Sequence, residues 1–393
     1  MSVSIKPLLL PPAARRFAPF GTTIFSEMTA LANKHGAINL SQGFPDFDGP
    51  AFIRQAAVAA IESGQNQYAR SMGLPELVEA VAAKTKRLYG MNIDPMTQVG
   101  VYSGATEGLV AAIMGIVNPG DEVVLIEPFY DSYRACVAMA GGVARFCSLR
   151  LPDFTLDPDE LAACFNNKTR LVVVNTPHNP TGRVFTRAEL ELIGGLCHKW
   201  GAYVLTDEVY EHLVFDANMH VPMASLPGMF DRTLTLSSTG KTFSLTGWKI
   251  GYAYGPEPLV MAAQAAHQFL TFSTARPFQK AMAEAISVDD SYYSTLLSEY
   301  GARRDLLVGA LQSAGLDVKV PQGTYFAIVD VTSAGFETDL AFTRHLIEEV
   351  GIACIPVSAF YSKAMDEGSK LARFAFCKKT ETLLAAAERL TRL

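Results

Sequence analysis

The sequence predicts an α/β fold: a large domain whose mostly parallel sheet is covered by helices on both faces, plus a smaller α+β domain. Three observations carry this. From about residue 98, short apolar runs rich in β-branched residues alternate with helical segments. Those runs are continuously apolar, as strands buried on both faces must be. Over roughly the last hundred residues the alternation gives way to long helices separated by isolated strands.

The elements follow in chain order. A helix over Phe25–His35 lies in an N-terminal segment expected to pack on the smaller domain or to reach a neighbouring subunit. QVGVYSG then runs into the helix TEGLVAAIMGIV, which NPGD ends. DEVVLIEP, TRLVVVNTP, AYVLTDE and RTLTLSS follow as strands. Among the helices between them is Thr186 to Trp200, opened by a capping box of Thr186 and Glu189. In SLTGWKIGYAYGP, Ile250, Tyr252 and Tyr254 alternate with small residues and read as a further strand. The C-terminal part gives a helix around Arg303–Ala314, the strand YFAIVDV, a helix around Leu340–Val350, the strand RFAFC and a last helix from Thr380. The expected boundaries are 1–48 for an N-terminal arm and part of the small domain, 49–285 for the large domain and 286–393 for the small C-terminal domain.

Composition removes several function classes. The 39 acidic and 33 basic residues leave a net charge of −6, and no Lys/Arg block suits nucleic acid or an anionic membrane. Lys6 precedes Leu8–Leu10, but Pro11 and Pro12 follow at once, so this apolar run is too short for a signal peptide. The longest later run, Leu109 to Val117, has about half the length of a membrane span. Six cysteines without a CxxC pair read as buried thiols of a cytoplasmic protein. The histidines form no HExxH, and His178 in NTPHNPTG reads as a turn residue, so no metal is expected.

The most informative stretch is SSTGKTFSLTGWKIGY, Ser237 to Tyr252. A lysine in a Ser/Thr/Gly turn either holds a phosphate as a point charge or forms a Schiff base with a carbonyl cofactor. A Walker A loop needs glycine five residues before Gly240, where Thr235 stands, and it should open a helix rather than lead to a strand. That removes the nucleotide reading for Lys241. Ligands of open parallel sheets bind beyond the carboxyl ends of the strands. The polar residues there are Ser103–Thr106, Tyr130, Asn175, Asn179, Asp207, Tyr210, Ser238 and Lys241, which form one constellation. GATEGL invites comparison with a hydrolase nucleophile elbow, but it carries Thr106 where that motif wants serine, and no triad partners are evident. The helix N-terminus there suits a phosphate, helped by Thr106, Ser238 and Lys249. Asp207, next to Glu208 at the end of AYVLT, either caps a loop or pairs with a heteroaromatic nitrogen and holds it protonated, which would make the ring an electron sink.

These residues resemble the class I pyridoxal-phosphate aminotransferases of fold type I. The resemblance spans nearly the whole chain, through NLSQGFPDF, NQYARSMG, NTPHNPTG, LTDEVYEHL, SSTGKTFSLTGWKIGY and RFAFCKK. It is closest to the kynurenine/glutamine-transaminase branch and, in GTTIFSEMTALANKHGAINLSQGFPDFDGP, to the bacterial methionine aminotransferases. It implies pyridoxal 5'-phosphate as cofactor, with Lys241 as the Schiff-base lysine that also moves the substrate proton. Asp207 would pair with the pyridine nitrogen, Asn179 and Tyr210 with the ring oxygen, and Tyr130 would stack on the ring. Ala105, Thr106, Ser238 and Lys249 would hold the phosphate, with Tyr68 from a second subunit. Arg373 and the Gly43 backbone would take the substrate carboxylate.

The resemblance also departs from the family in two places. Lys249 replaces an arginine used by many relatives, and Thr106 stands where some carry an aromatic residue. The expected reaction is ping-pong transfer of an amino group from an amino acid to a 2-oxo acid. Phe25 and Phe272, the latter reaching across a homodimer with shared active sites, match positions lining a pocket for bulky neutral donors: methionine, aromatic residues, glutamine or kynurenine. Arg276, close to Phe272, would readmit acidic side chains if it faced that pocket. A carbon–sulfur β-lyase on the same fold is the alternative activity. A pyridoxal-phosphate-sensing regulator would need a DNA-binding segment, and no such pattern precedes NLSQGF.

Overall fold

Alternate residues of the apolar runs enter two different cores, which is why those runs show no exposed face. Val123, Leu125, Leu171, Val173 and Leu205 pack with Leu109, Ile113 and Val260 on one side of the central sheet. Val124, Ile126, Val172, Val174 and Val204 pack with Leu190, Ile193 and Cys197 on the other. The computed structural model describes residues 14–21, 23–363 and 368–393, so Lys6, Leu8–Leu10, Pro11 and Pro12 lie outside the described residues.

The sheet has seven strands in the order Val99–Ser103, Ile250–Tyr254, Thr233–Ser238, Tyr203–Asp207, Thr169–Asn175, Glu122–Glu127 and Val143–Ser148. Ile250–Tyr254 runs antiparallel to both neighbours, and the remaining pairs are parallel. Six carboxyl ends therefore share one edge of the sheet, and the antiparallel strand begins at that same edge. In register, Asn175 lies opposite Asp207, Ser238 opposite Gly251 and Ser103 opposite Ile250.

A four-stranded antiparallel sheet forms a second layer, in the order Ile355–Pro356, Leu371–Ala375, Phe326–Asp330 and Asp317–Lys319. The helix Ile24–His35 sends Met28 and Ala32 into a core shared by Val172 and Val174 of the large sheet and Ile328 and Ile355 of the small one. Ile38–Asn39 then pairs in parallel with Ile352–Ala353. The N-terminal segment thus crosses from one layer to the other, which carries residues 41–44 over the strand ends.

Several elements differ from the sequence-based expectation. The edge strand Val143–Ser148 was not foreseen, because its exposure alternates and Val143 is 45% exposed. The helix around Arg303–Ala314 starts earlier, at Asp290, and ends at Ser313. Its buried stripe runs Leu296, Tyr300, Arg304, Leu307 and Leu311, with Arg304 paired to Asp216 at 2.7 Å, so an apolar-only reading misses half of it. The Leu340–Val350 helix is α-helical over Asp339–His345 and widens into a π turn over Leu346–Val350. TGKT is a single helical turn, Thr239–Thr242. The Thr186–Glu189 capping box is present in full at the helix Arg187–Trp200.

Candidate active site

A cavity of about 440 Å³ opens at the carboxyl edge of the large sheet, roofed by residues 42–44 and by Phe326 and Arg373 of the small sheet. Strand ends supply its floor. Asp207 closes Tyr203–Asp207, and Ser238 closes Thr233–Ser238 and leads directly into the turn that carries Lys241. The helix Gly104–Ile116 follows Val99–Ser103 without a loop, so the Ala105 and Thr106 backbone faces the cavity at a helix N-terminus.

Lys249 reaches the same corner from the start of the antiparallel strand. Its backbone is left-handed at φ 55, an uncommon conformation for a non-glycine residue, which turns the chain back into the sheet. Gly104, at φ +77, leaves room for it: a Cβ there would lie 2.9 Å from Lys249 Cε and 3.1 Å from Nζ. A cation, a helix N-terminus and the Ser238 hydroxyl thus converge on one anion-sized corner.

Asp207 is buried, and its Oδ2 accepts a 2.6 Å hydrogen bond from the Tyr133 hydroxyl. Burial raises its proton affinity, while the Tyr133 bond, the Val209 N–H and the Lys241 charge oppose this. Asn175 fixes the neighbouring loop: its Nδ2 donates to Asp207 O at 2.8 Å and its Oδ1 accepts from Asn179 N at 2.7 Å.

Arg373 is 1% exposed and sandwiched by aromatic rings, its guanidinium 4.0 Å from the Phe326 centroid, 4.9 Å from Phe360 and 5.4 Å from Phe25. Nη1 donates to Asn179 Oδ1 at 2.8 Å and Nη2 to Ser41 O at 3.0 Å, while its buried Nε has no partner. Burial lowers its pKa to about 10, which leaves it charged at neutral pH. An unpaired N–H on a buried guanidinium suits a carboxylate ligand.

The Lys241 amine donates to the Tyr325 hydroxyl at 2.9 Å and to Gly43 O at 3.2 Å. Burial, and to a lesser degree Arg373 and Lys249, bring its pKa down from 10.5 to about 8, against the opposing pull of Cys377 and Asp207. An amine near 8 has an appreciable neutral fraction at working pH, as a nucleophile or base requires.

Of the residues singled out in the sequence, Phe25, Gly43, Ala105, Thr106, Tyr130 and Asn179 line this cavity. So do Asp207, Tyr210, Ser238, Lys241, Lys249 and Arg373. Tyr68 and Phe272 do not. They lie on the surface, 79% and 39% exposed, with ring centroids 5.3 Å apart and edge to face. Arg276 opens the helix Arg276–Ile286, also outside the cavity lining, within electrostatic range of Glu76. His178 is buried with Nδ1 2.7 Å from Thr181 Oγ1, a turn contact. Among the described residues, no group of three or more His, Cys, Asp or Glu converges to hold a metal ion.

Sequence reasoning passed over three residues. Tyr133 lies three residues after Tyr130, a spacing that helical periodicity could have flagged, and Asp131 is its direct neighbour in sequence. Tyr325 sits in GTYF ahead of the strand Phe326–Asp330 of the four-stranded sheet, distant in sequence from every strand end of the large sheet, and no local signal marks it.

Pyridoxal 5'-phosphate fits these donors. The Lys249 corner suits its phosphate, the buried Asp207 carboxylate its ring nitrogen and the Lys241 amine its aldehyde.

Comparison with known proteins agrees. A family model described as aminotransferase class I and II matches residues 35–390. A probable N-succinyldiaminopimelate aminotransferase of Mycobacterium tuberculosis is 45% identical over 386 residues, covering 96% of this chain and 97% of the relative. Kynurenine–oxoglutarate transaminase 3 of Mus musculus is 40% identical over 403 residues, covering 95% and 89%. The solved structure of an Escherichia coli protein with a methionine aminotransferase function matches at a TM-score of 0.94 with 42% identity, covering 98% of this chain and 100% of that one.

Proposed function

Since the chain belongs to the class I and II aminotransferases, enzymes that use pyridoxal 5'-phosphate, we propose that it transfers the amino group of a bulky neutral L-amino acid to a 2-oxo acid, with Lys241 as the catalytic amine. The observation that carries this reading is the cavity in which Asp207, the Lys241–Lys249 stretch and Arg373 converge from three separate segments.

The cofactor, when bound, supplies a protonated ring that draws electrons from the substrate α-carbon. The chain's residues hold and serve it. Lys249, Ser238 and the N-terminus of Gly104–Ile116 hold the phosphate. Asp207 would keep the ring nitrogen protonated, and its hydrogen bond from Tyr133 favours the ionised carboxylate against burial. Asn179 and Tyr210 would hold the ring oxygen, and Tyr130, which also lines the cavity, would pack on the ring. Arg373 would take the α-carboxylate through its remaining N–H groups and so fix the substrate beside Lys241. Lys241 Nζ, deprotonated above about pH 8, takes that proton and returns it on the other side of the reaction.

Phe25 and Phe44 line the mouth of the cavity, which supports an apolar side chain. Asp131 lines it too, and as a carboxylate it repels acidic side chains. The cations lining it are Lys241, Lys249 and Arg373, each with a role above, and Arg276 lies elsewhere. Methionine, aromatic amino acids, glutamine and kynurenine fit this description. The E. coli relative has a methionine aminotransferase function, and the mouse relative is a kynurenine–oxoglutarate transaminase.

The active unit in this reading is a homodimer in which Tyr68 and Phe272 complete the partner's cavity. The support is their joint exposure as one aromatic pair, with Phe269, three residues before Phe272, 90% exposed. Residues 49–285 and 286–393, with the arm 1–48, remain the proposed domain division, supported by the separate sheets. No described helix is long and apolar enough to cross a membrane, and the free, mostly buried cysteines support a cytoplasmic location.

The test is a half-reaction screen: the loaded enzyme is mixed with each amino acid in turn, and the cofactor's visible band is followed. Methionine or an aromatic amino acid should discharge the band, and Lys241→Ala should abolish the response. A response to aspartate and glutamate alone would refute the neutral-donor reading.

A further inference from the structure

We infer that Tyr325 is the positioning residue for Lys241, holding the free amine as a double hydrogen-bond donor so that its lone pair faces the cavity. This rests on the reading of Lys241 as the catalytic amine. A phenol carries one proton, and the Tyr325 hydroxyl donates it to Gly43 O at 2.6 Å. Toward Lys241 Nζ, 2.9 Å away, the same oxygen therefore acts only as an acceptor. Gly43 O, the second atom beside the amine at 3.2 Å, is also an acceptor. A neutral amine has two hydrogens. With both directed at these oxygens, its lone pair points in the remaining direction, into the cavity.

Both acceptors are firmly held. The Tyr325 ring is 1% exposed, edge-on to Tyr210 with centroids 5.1 Å apart and stacked on Tyr300 at 6.1 Å. Gly43 lies in a strap in which four successive carbonyls each accept from a basic side chain. Ser41 O takes Arg373, Gln42 O and Phe44 O take Lys378 at 3.2 and 2.8 Å, and Gly43 O takes Lys241. The amine and the Arg373 guanidinium are thus referenced to one short piece of backbone. The other charged or titratable groups acting on Lys241 are Cys377, Asp207, Arg373 and Lys249, with the Tyr210 ring 5.8 Å from Nζ.

The experiment uses cofactor-free protein and measures the rate at which it captures added pyridoxal phosphate, by absorbance, from pH 6 to pH 10. In the wild type the rate should rise through about pH 8 as Lys241 loses its proton. Tyr325→Phe keeps the ring but removes an acceptor that favours the ammonium. Its midpoint should therefore move down by about half to one pH unit, and its high-pH plateau should fall about tenfold through lost orientation. Tyr300→Phe, a packing control, should match the wild type. An unmoved or raised midpoint in Tyr325→Phe, or an unchanged plateau, overturns the assignment. If Tyr325→Phe does not fold, 3-fluorotyrosine at this position, a weaker acceptor of nearly the same shape, is held to the same downward shift. Lys241→Ala separates the two readings. Capture at the wild-type rate by that variant would refute Lys241 as the amine, whereas lost capture together with an unaltered Tyr325→Phe profile would refute only the role of Tyr325.

Discussion

Asn179 Oδ1 accepts a 2.8 Å hydrogen bond from Arg373 Nη1. That bond fixes the amide of Asn179, so its Nδ2 is left as the donor toward the cavity. The residue proposed to take the substrate carboxylate therefore also orients the one proposed to face the ring oxygen. In that reading, substrate binding and cofactor electronics are joined through a single contact.

Arg373→Lys should cut kcat/KM for methionine by about two orders of magnitude, in line with the 2–5 kcal/mol typical of truncating a buried hydrogen-bonded charge. A lysine has the charge but not the planar fork that serves Asn179, Ser41 and a carboxylate together. Steady-state kinetics should show the loss mainly in KM, and cofactor affinity measured by calorimetry should change only several-fold.

Tyr133→Phe should shift the acid limb of the kcat/KM profile to higher pH. The Tyr133 hydroxyl favours the ionised form of Asp207 against burial, which already raises its pKa. Without that donor, Asp207 takes up a proton at higher pH, and activity is lost sooner as pH falls. A pH–rate profile with an unmoved acid limb would contradict this account.

Lys241→Met should stabilise the cofactor-free protein at pH 7 while abolishing transamination. The folded pKa of Lys241 lies near 8, below its unfolded value of 10.5. Below about pH 8 the fold therefore carries the full cost of a disfavoured ammonium, and stability recovers as pH rises from 8 toward 10.5. Because the side chain borders an open cavity, the cost is on the order of 2 kcal/mol. Thermal melts of the two proteins should differ most at pH 7 and converge toward pH 10.

Lys84→Met should destabilise the protein by about 3–5 kcal/mol, because it leaves a buried carboxylate without its partner. Lys84 Nζ lies 2.6 Å from Glu211 Oε1, and both side chains are at most 5% exposed. Burial alone would raise the Glu211 pKa. The charge of Lys84, with hydrogen bonds from Lys84 and Tyr89, holds it well below the ordinary value of 4.5. The stability this pair contributes is present above about pH 4.5 and lost as pH falls further. Urea unfolding at pH 7 measures the loss, and since Glu211 follows Tyr210 directly, cofactor affinity should weaken with it.

Much of the large sheet was legible because its strands are buried on both faces and so stand out as unbroken apolar runs. The edge strand Val143–Ser148 is covered on fewer sides, and its mixed composition hid it. Most of the constellation was legible for a topological reason: a parallel sheet gathers its carboxyl ends, so Asp207, Ser238 and Asn175 can be grouped from sequence alone. Tyr325 and the carbonyls of Ser41–Phe44 obey no such rule. They come from the smaller layer and from backbone, and only the tertiary fold brings them beside Lys241. The reading of Tyr68 and Phe272 rested on resemblance, and within one chain they form an exposed aromatic pair rather than part of a cavity.

The strap over the cavity has a consequence for how this enzyme can change its diet. It contacts Lys241, Arg373 and Lys378 through main-chain oxygens, which no point mutation deletes. Phe44, whose side chain lines the cavity and makes no hydrogen bond of its own, can therefore be exchanged while the polar framework stays in place. Gln42 is less free, because its Nε2 donates to Thr29 Oγ1 at 2.7 Å and to Phe25 O at 3.3 Å and so ties the strap to the helix Ile24–His35. Gly43 is fixed as well, because a Cβ there would fall 2.7 Å from Phe326 Cζ. Selection for a new amino acid therefore has one variable site beside two constrained ones, and laboratory libraries aimed at this enzyme should start from position 44.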